Sequence, residues 1–254
     1  ANLLATVSND TWFGASTQLA LTTTFRCPQT ICDVASQFVS SNPAQFQKPM
    51  RSAHSEPGAP VRVVLDDDPR SAVGAQLGRI SALVDAGGRT ATVNVLGRYG
   101  FLRDTLTRPP ANLDVTFRTV HASKGLEADY IVIVGLAAGT YGFPSRIADD
   151  PVLDLALPAP ESFPHAEERR LFYVALTRAR VEVTVIAPSA RMSPFVTEII
   201  NLPSVITENA AGNTAATVRR CPACGTGTLT ERTGRWGPFL GCTNFPGCTH
   251  TEGH

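Results

Sequence analysis

Thr119-Val-His-Ala-Ser-Lys-Gly-Leu-Glu127, followed at once by Ala128-Asp-Tyr-Ile-Val-Ile-Val134, is the stretch that decides the fold. Its first residues close an apolar run, its glycine marks a turn, and Tyr130–Val134 is apolar without polar alternation. Such a strand must be covered on both faces, as parallel strands in α/β sheets are. Comparable β-rich runs at Val61–Leu65, Thr92–Leu96, Val115–Val120 and Val181–Ile186 predict four more strands. Helical spacing between them predicts helices at Gln29–Ser41, at Ser71–Ala86 (stopped by Gly87-Gly88) and at His165–Arg180. Ser193 as an N-cap and Pro194 at the first helical position open a short helix to Ile200. The expected fold is therefore α/β, a mainly parallel sheet with flanking helices over residues 1–206. A polar Thr/Ala/Asn-rich linker over 207–217 leads to a small β-rich module at 218–254.

The 254 residues are 43% hydrophobic and carry 22 basic against 22 acidic groups. That balance excludes a uniformly basic nucleic-acid glove, so any such contact must be local. Of the basic residues only Lys48 and Lys124 are lysine. No apolar run is long enough to span a bilayer, and the chain starts without a charged-then-apolar leader, so a cytoplasmic location is expected. Cys27 and Cys32, five apart within a helical pattern, are expected to be buried thiols rather than ligands.

The other cysteines read Cys221-x2-Cys224-x17-Cys242-x5-Cys248. Two short cysteine pairs offer four thiolates to a tetrahedral zinc ion, and about 35 residues hold no core without a metal or disulfides. Paired disulfides or a redox Cys-x-x-Cys are the alternatives; the spacing and the glycines among the ligands favour zinc. His250 and His254 are spare donors. Arg219, Arg220, Arg232 and Arg235 surround the cysteines, with Trp236, Phe239 and Phe245 interleaved. Arginine finds phosphates and an exposed aromatic can stack on an unpaired base, although the same rings could simply wrap the metal.

Two strings concentrate polar groups at the ends of elements. Thr119–Glu127 lies beyond the carboxyl end of a strand, where ligands bind in open α/β sheets. Glu167-Glu-Arg-Arg-Leu-Phe-Tyr-Val-Ala-Leu-Thr-Arg-Ala-Arg180 carries an apolar stripe, Leu171, Val174 and Ala175, that leaves Glu167, Arg170 and Arg178 on other faces. Taken alone, the second string reads more readily as an amphipathic helix with ordinary surface ion pairs.

Together these strings resemble motifs V and VI of the UvrD-like superfamily 1 DNA helicases, and Leu21-Thr-Thr-Thr-Phe-Arg-Cys-Pro28 resembles motif IV. The resemblance runs from about residue 15 to 203. Residues 221 to about 249 resemble the four-cysteine zinc ribbon of bacterial type I topoisomerases, which binds single-stranded DNA. The first resemblance implies a RecA-like second motor domain. By it, Phe25 stacks on adenine, Glu127 contacts the ribose, and Arg26 and Arg178 reach the γ-phosphate as catalytic groups. Thr119 and His121 contact single-stranded DNA, with Arg98 a further DNA contact. The second adds Arg235, Trp236 and Phe239 as DNA-binding residues. Arg26 and Arg178 are expected to converge on one exposed cleft at the sheet's edge, with few carboxylate partners.

Nowhere does a G-x-x-x-x-G-K-[ST] string occur, nor a Walker B acidic pair; Asp66-Asp-Asp68 precedes Pro69 without that context. The resemblance thus implies a partner RecA-like ATPase domain of the same parent chain, which would bring ATP and magnesium. The 254 residues alone are not expected to hydrolyse ATP. Tyr99 and Thr119 are separated by only 19 residues, where many of these helicases carry a large inserted subdomain. The implied function is half of an ATP-dependent, 3′–5′ DNA helicase. The alternative is a non-catalytic nucleic-acid or protein-binding module that retains the motifs.

Overall fold

A computed structural model describes residues 21–43, 45, 50–56, 58–147, 163–209, 221–224, 229–234, 237–242 and 245–253. The chain divides into two compact units, Ala1–Gly212 and Asn213–His254.

The first unit is built on six parallel strands: β3 (Val61–Leu65), β4 (Ala91–Gly97), β5 (Leu113–Thr119), β6 (Ala128–Val134), β7 (Ala179–Ala187) and β8 (Val205–Asn209). Their spatial order is β5-β4-β6-β7-β3-β8, which leaves β6 and β7 at the centre. A two-residue parallel pair, β1 (Thr23–Thr24) with β2 (Arg51–Ser52), stands apart. The helices are α1 (Gln29–Ser40), α2 (Pro69–Asp85), α3 (Ala166–Leu176) and α4 (Pro194–Ile199). This is the mainly parallel sheet with flanking helices that the unalternated apolar runs predict. Among the described residues no helix is long and apolar enough to cross a membrane.

The two faces of the sheet are filled differently. Val73, Leu77, Ile80 and Val84 of α2 pack on Val64, Val93, Val95, Val132 and Ile186, an aliphatic layer. Asp68 starts α2 by accepting the amides of Arg70 and Ser71 at 3.0 and 3.3 Å, with Pro69 at the first helical position. The layer formed by α1, α3 and α4 is aromatic. Phe38 meets Phe172 and Phe195 edge-on at 5.1 and 5.0 Å, and Phe143 meets Phe172 at 5.5 Å. Arg169 is buried in it. Its guanidinium makes a two-pronged bond to Glu198 (2.6 and 2.8 Å), donates to the Phe38 carbonyl (3.1 Å) and lies 4.4 Å from the Phe38 ring centre.

Two expectations change. The helix expected to run to Arg180 stops at Leu176, because Thr177 Oγ1 bonds back to the carbonyls of Tyr173 and Val174 and Ala179 already pairs with Ala128 of β6. Arg178 therefore sits at a helix–strand junction. The expected linker also starts too early, since Thr207–Asn209 belong to β8, which pairs with β3 and ties Glu208 to Arg62.

Candidate functional site

Parallel strands give the sheet two chemically distinct ends, and the residues singled out in the sequence separate between them. At the amino end, Glu127 immediately precedes β6 and Arg178 immediately precedes β7. Arg26 reaches this place from the segment ahead of α1, and its Nε donates to Glu127 Oε2 at 2.9 Å. Arg178 donates to the carbonyls of Val174 (3.0 Å) and Leu126 (3.4 Å) and has no carboxylate partner among the described residues. Burial first, and then the neighbouring Arg26 charge, disfavour its charged form and lower its pKa. Phe25 stands 82% exposed beside them.

The expected convergence of Arg26 and Arg178 is thus present, with one correction. The meeting point is the amino end of the two central strands and not a lateral edge of the sheet. Carboxylate partners are few, as expected, and Arg26 has one. Glu127 is shared with Arg180, whose Nη1 lies 3.3 Å from Oε1, and Arg180 is in turn held 2.9 Å from Asp129. The Arg26 bond, with the Arg26 and Arg180 charges, keeps the Glu127 carboxyl below the usual carboxylate range. Such solvent-screened pairs are weak, so a stronger anion can displace one. Next to Arg26, Cys27 and Cys32 are buried thiols with Sγ atoms 3.6 Å apart, although Cys27 precedes the helix instead of lying in it. The bond from Cys32 lowers Cys27 to about 6.

At the carboxyl end, Thr119 is the last residue of β5, Arg98 follows β4, and His121 opens a short 3-10 turn, His121–Ser123. Thr119 Oγ1 accepts the Ala122 amide at 3.3 Å and so shapes the turn. Glu168, in the first turn of α3, takes Arg98 Nε at 2.9 and 3.1 Å and also accepts the Ser145 amide. Burial works against the Arg98 charge, but the Glu168 bond and charge outweigh it and its pKa rises. Burial first, then the charges of Arg98 and Lys124, depress His121. The sequence reading missed Glu168 as the holder of Arg98. Glu168 sits within Glu167–Arg180, and only the fold shows that it points back to the end of β4.

The second unit is an antiparallel sheet of β9 (Leu229–Gly234), β10 (Gly237–Cys242) and β11 (Thr251–Gly253). Its core is Cys221, Leu229 and Cys242, packed by Cys224, Leu240 and Cys248. The four cysteine sulfurs lie within 4.8 Å of one another, with Cys221–Cys248 at 3.7 Å and Cys224–Cys242 at 3.6 Å. Thiolates about 2.3 Å from a tetrahedral zinc stand about 3.8 Å apart, so the donor set fits that ion and not a pair of disulfides. His250 pairs with Glu252 at 3.3 Å and stands outside the cluster. Phe239 lies on β10, half-buried, and Arg232 donates to the Cys242 carbonyl. Arg235, Trp236 and His254 lie outside the described residues.

Residues 90–190 match the model of the UvrD-like helicase C-terminal domain, and residues 218–254 match that of the topoisomerase DNA binding C4 zinc finger. DNA helicase IV of Escherichia coli K12 is 39% identical over 194 residues, 75% of this chain and 27% of that protein. The ATP-dependent DNA helicase UvrD2 of Mycobacterium tuberculosis H37Rv is 43% identical over 77 residues, 30% of this chain and 10% of its own. DNA topoisomerase 1 of Zymomonas mobilis is 49% identical over 35 residues, 14% of this chain and 3% of its own. The chain thus spans about a quarter of the helicase IV sequence and far less of the others.

Proposed function

We propose, on the premise that this chain carries a UvrD-like helicase C-terminal domain at residues 90–190 and a topoisomerase-type C4 zinc ribbon at 218–254, that it works as one motor half and the DNA-binding tail of a bacterial, cytoplasmic, ATP-dependent 3′–5′ DNA helicase. The observation that carries this reading is the meeting of Arg26, Glu127 and Arg178, from three distant stretches, at one end of the sheet. ATP and magnesium would come with a partner ATPase domain of the parent protein. Phe25 then stacks on the adenine, and a phosphate draws Arg26 away from Glu127, which is left to hold the ribose. Arg26 and Arg178 meet the charge that develops on the dissociating γ-phosphoryl group only when the cleft closes, so hydrolysis is tied to domain motion.

Thr119, His121 and Arg98 at the opposite end would face the backbone of single-stranded DNA. Arg235, Trp236 and Phe239 would give the ribbon phosphate and base contacts, and one zinc would hold its four cysteines together. On this reading the 254 residues alone bind DNA and do not turn over ATP.

The test uses the full-length parent. Arg178→Ala should lower ATP turnover about 10³-fold while single-stranded DNA affinity stays within twofold. Turnover at the wild-type rate would overturn the assignment and favour a binding module that merely keeps the motifs.

A further inference from the structure

At the carboxyl end three aromatic rings form a cluster that the Thr119, His121 and Arg98 set does not include. Tyr99 and Phe101 are stacked, with ring centres 5.5 Å apart and planes 9° apart. Tyr141 stands edge-on to both, at 5.8 and 6.3 Å. Tyr99 is anchored, since its hydroxyl donates to Ser145 Oγ at 2.6 Å and the Arg98 guanidinium carbon lies 5.1 Å from its ring centre. Phe101 and Tyr141 are 57% and 66% exposed. Large aromatic faces left to water at a cluster of rings mark an interaction site.

The mount under this cluster is rigid. Phe101 belongs to a 3-10 turn, Gly100–Thr105, whose Leu102 lodges between the ends of β4 and β6. A Cβ on Gly97 or on Gly135 would come within 2.9 or 2.6 Å of Leu102 Cδ1, so both positions are bare to admit it. Thr105 Oγ1 closes the turn onto the Leu102 carbonyl, and Arg70 reaches from α2 to the Asp104 carbonyl. On the other side, a Cβ on Gly142 would lie 2.0 Å from the Ala137 carbonyl oxygen, which makes the turn after Tyr141 equally tight.

We infer that Phe101 and Tyr141 form a platform on which an unpaired base of single-stranded DNA stacks, extending the Tyr99–Phe101 pair. The cations beside the cluster select this occupant. Arg98 touches Tyr99, and at His121 the charges of Arg98 and Lys124 come ahead of the opposing ones of Glu168 and Glu167. With Glu168 already holding Arg98, it is Lys124 that is left for a phosphate beside the π faces. Tyr141 supplies the perpendicular wall that limits the platform to flat groups. The inference rests on the reading of this end as a single-stranded DNA track and adds the base contact that the track's phosphate contacts lack.

The experiment measures binding of the zinc-loaded 254-residue chain to a fluorescent oligo(dT) 12-mer and to an abasic 12-mer of equal charge. Phe101→Ala and Tyr141→Ala should each weaken oligo(dT) binding about tenfold and leave abasic binding and the thermal midpoint unchanged, while Phe101→Trp restores oligo(dT) binding. Wild-type oligo(dT) binding by both alanine variants, with Arg98→Ala weakening both ligands, would remove the platform and keep the track. Unchanged binding in all three variants would overturn the track reading as well. Equal loss on both oligonucleotides would make the rings structural and overturn the inference.

Discussion

The two ends of the sheet hold their arginines in opposite ways. At the amino end, Arg26 is tied by one exposed bond to a carboxylate that Arg180 also claims, and Arg178 rests on main-chain carbonyls. At the carboxyl end, Arg98 is clamped by both oxygens of Glu168 beside a ring cluster on a locked turn. On the proposed function, loose partners suit a group that must move onto charge that comes and goes with each catalytic cycle. A clamped group suits a fixed surface along which a polymer slides. Between the ends lies α3, which begins near Glu168 and finishes next to Arg178; its 11 residues span about 16 Å.

The largest effect should come from breaking what the two ends share. Arg169→Ala leaves Glu198 and the Phe38 carbonyl without their buried partner and should cost about 3 kcal/mol of stability, read as a lower urea midpoint. ATP turnover of the parent protein and single-stranded DNA binding, both as proposed, should fall together above that midpoint. Retention of full stability would mean that the aromatic layer, and not this cation, holds α3 in place. Next in size, Arg98→Ala should separate the ends. Single-stranded DNA affinity should drop about tenfold, and the slope of log affinity on log salt should shrink by about 0.7. ATP turnover at saturating DNA should not change. An unchanged salt slope would place Arg98 off the DNA path.

Much of this contrast was legible in the sequence, and the remainder was hidden for identifiable reasons. Runs such as Tyr130–Val134 pointed to buried strands, and the spacing of the four cysteines with their glycines favoured a zinc cluster over disulfides. The string Thr-Arg-Ala-Arg gives no sign of a helix stop. Thr177 turns back to Tyr173 and Val174, and the chain leaves the helix because the edge of β6 is waiting for it. Val205–Asn209 is short and mixed in polarity, and it becomes a strand only beside β3. Glu127 lies 101 residues from Arg26, so no local pattern could reveal their bond. Tyr99 and Phe101 share one turn, but Tyr141 is 40 residues further on, so only the fold shows that the three rings meet.

A smaller, pH-dependent effect sharpens the comparison further. His121 is depressed below its ordinary pKa of about 6.5, so it is neutral at pH 7. Protonation in acid would add a charge facing the phosphates, and single-stranded DNA affinity should rise a few-fold between pH 7 and 5. His121→Ala should flatten that rise. The same depression means that the folded state binds this proton less well than the unfolded state, so His121 costs stability as pH falls below about 6.5. A pH profile identical in the variant would take His121 out of the contact. The remaining effect is confined to the ribbon. Stripping zinc with a chelator should lower oligonucleotide affinity and abolish the ribbon's own structure, with no shift in the melting of the larger unit. Metal analysis should give one zinc per chain, unchanged by His250→Ala.

Leu102 sets unequal terms for change at the two glycines that admit it. Gly97 needs only space, so shortening residue 102 should ease an alanine there in part, the Leu102 Cβ at 3.0 Å and Phe117 Cζ at 3.2 Å still pressing on it. The double substitution should recover some of what the single one loses. Gly135 has φ +80 as well, a backbone setting that side chains resist, so trimming Leu102 should not rescue it. In descendants of this sequence, position 97 can drift only in step with positions 102 and 117. Position 135 is bound to glycine whatever its neighbour becomes.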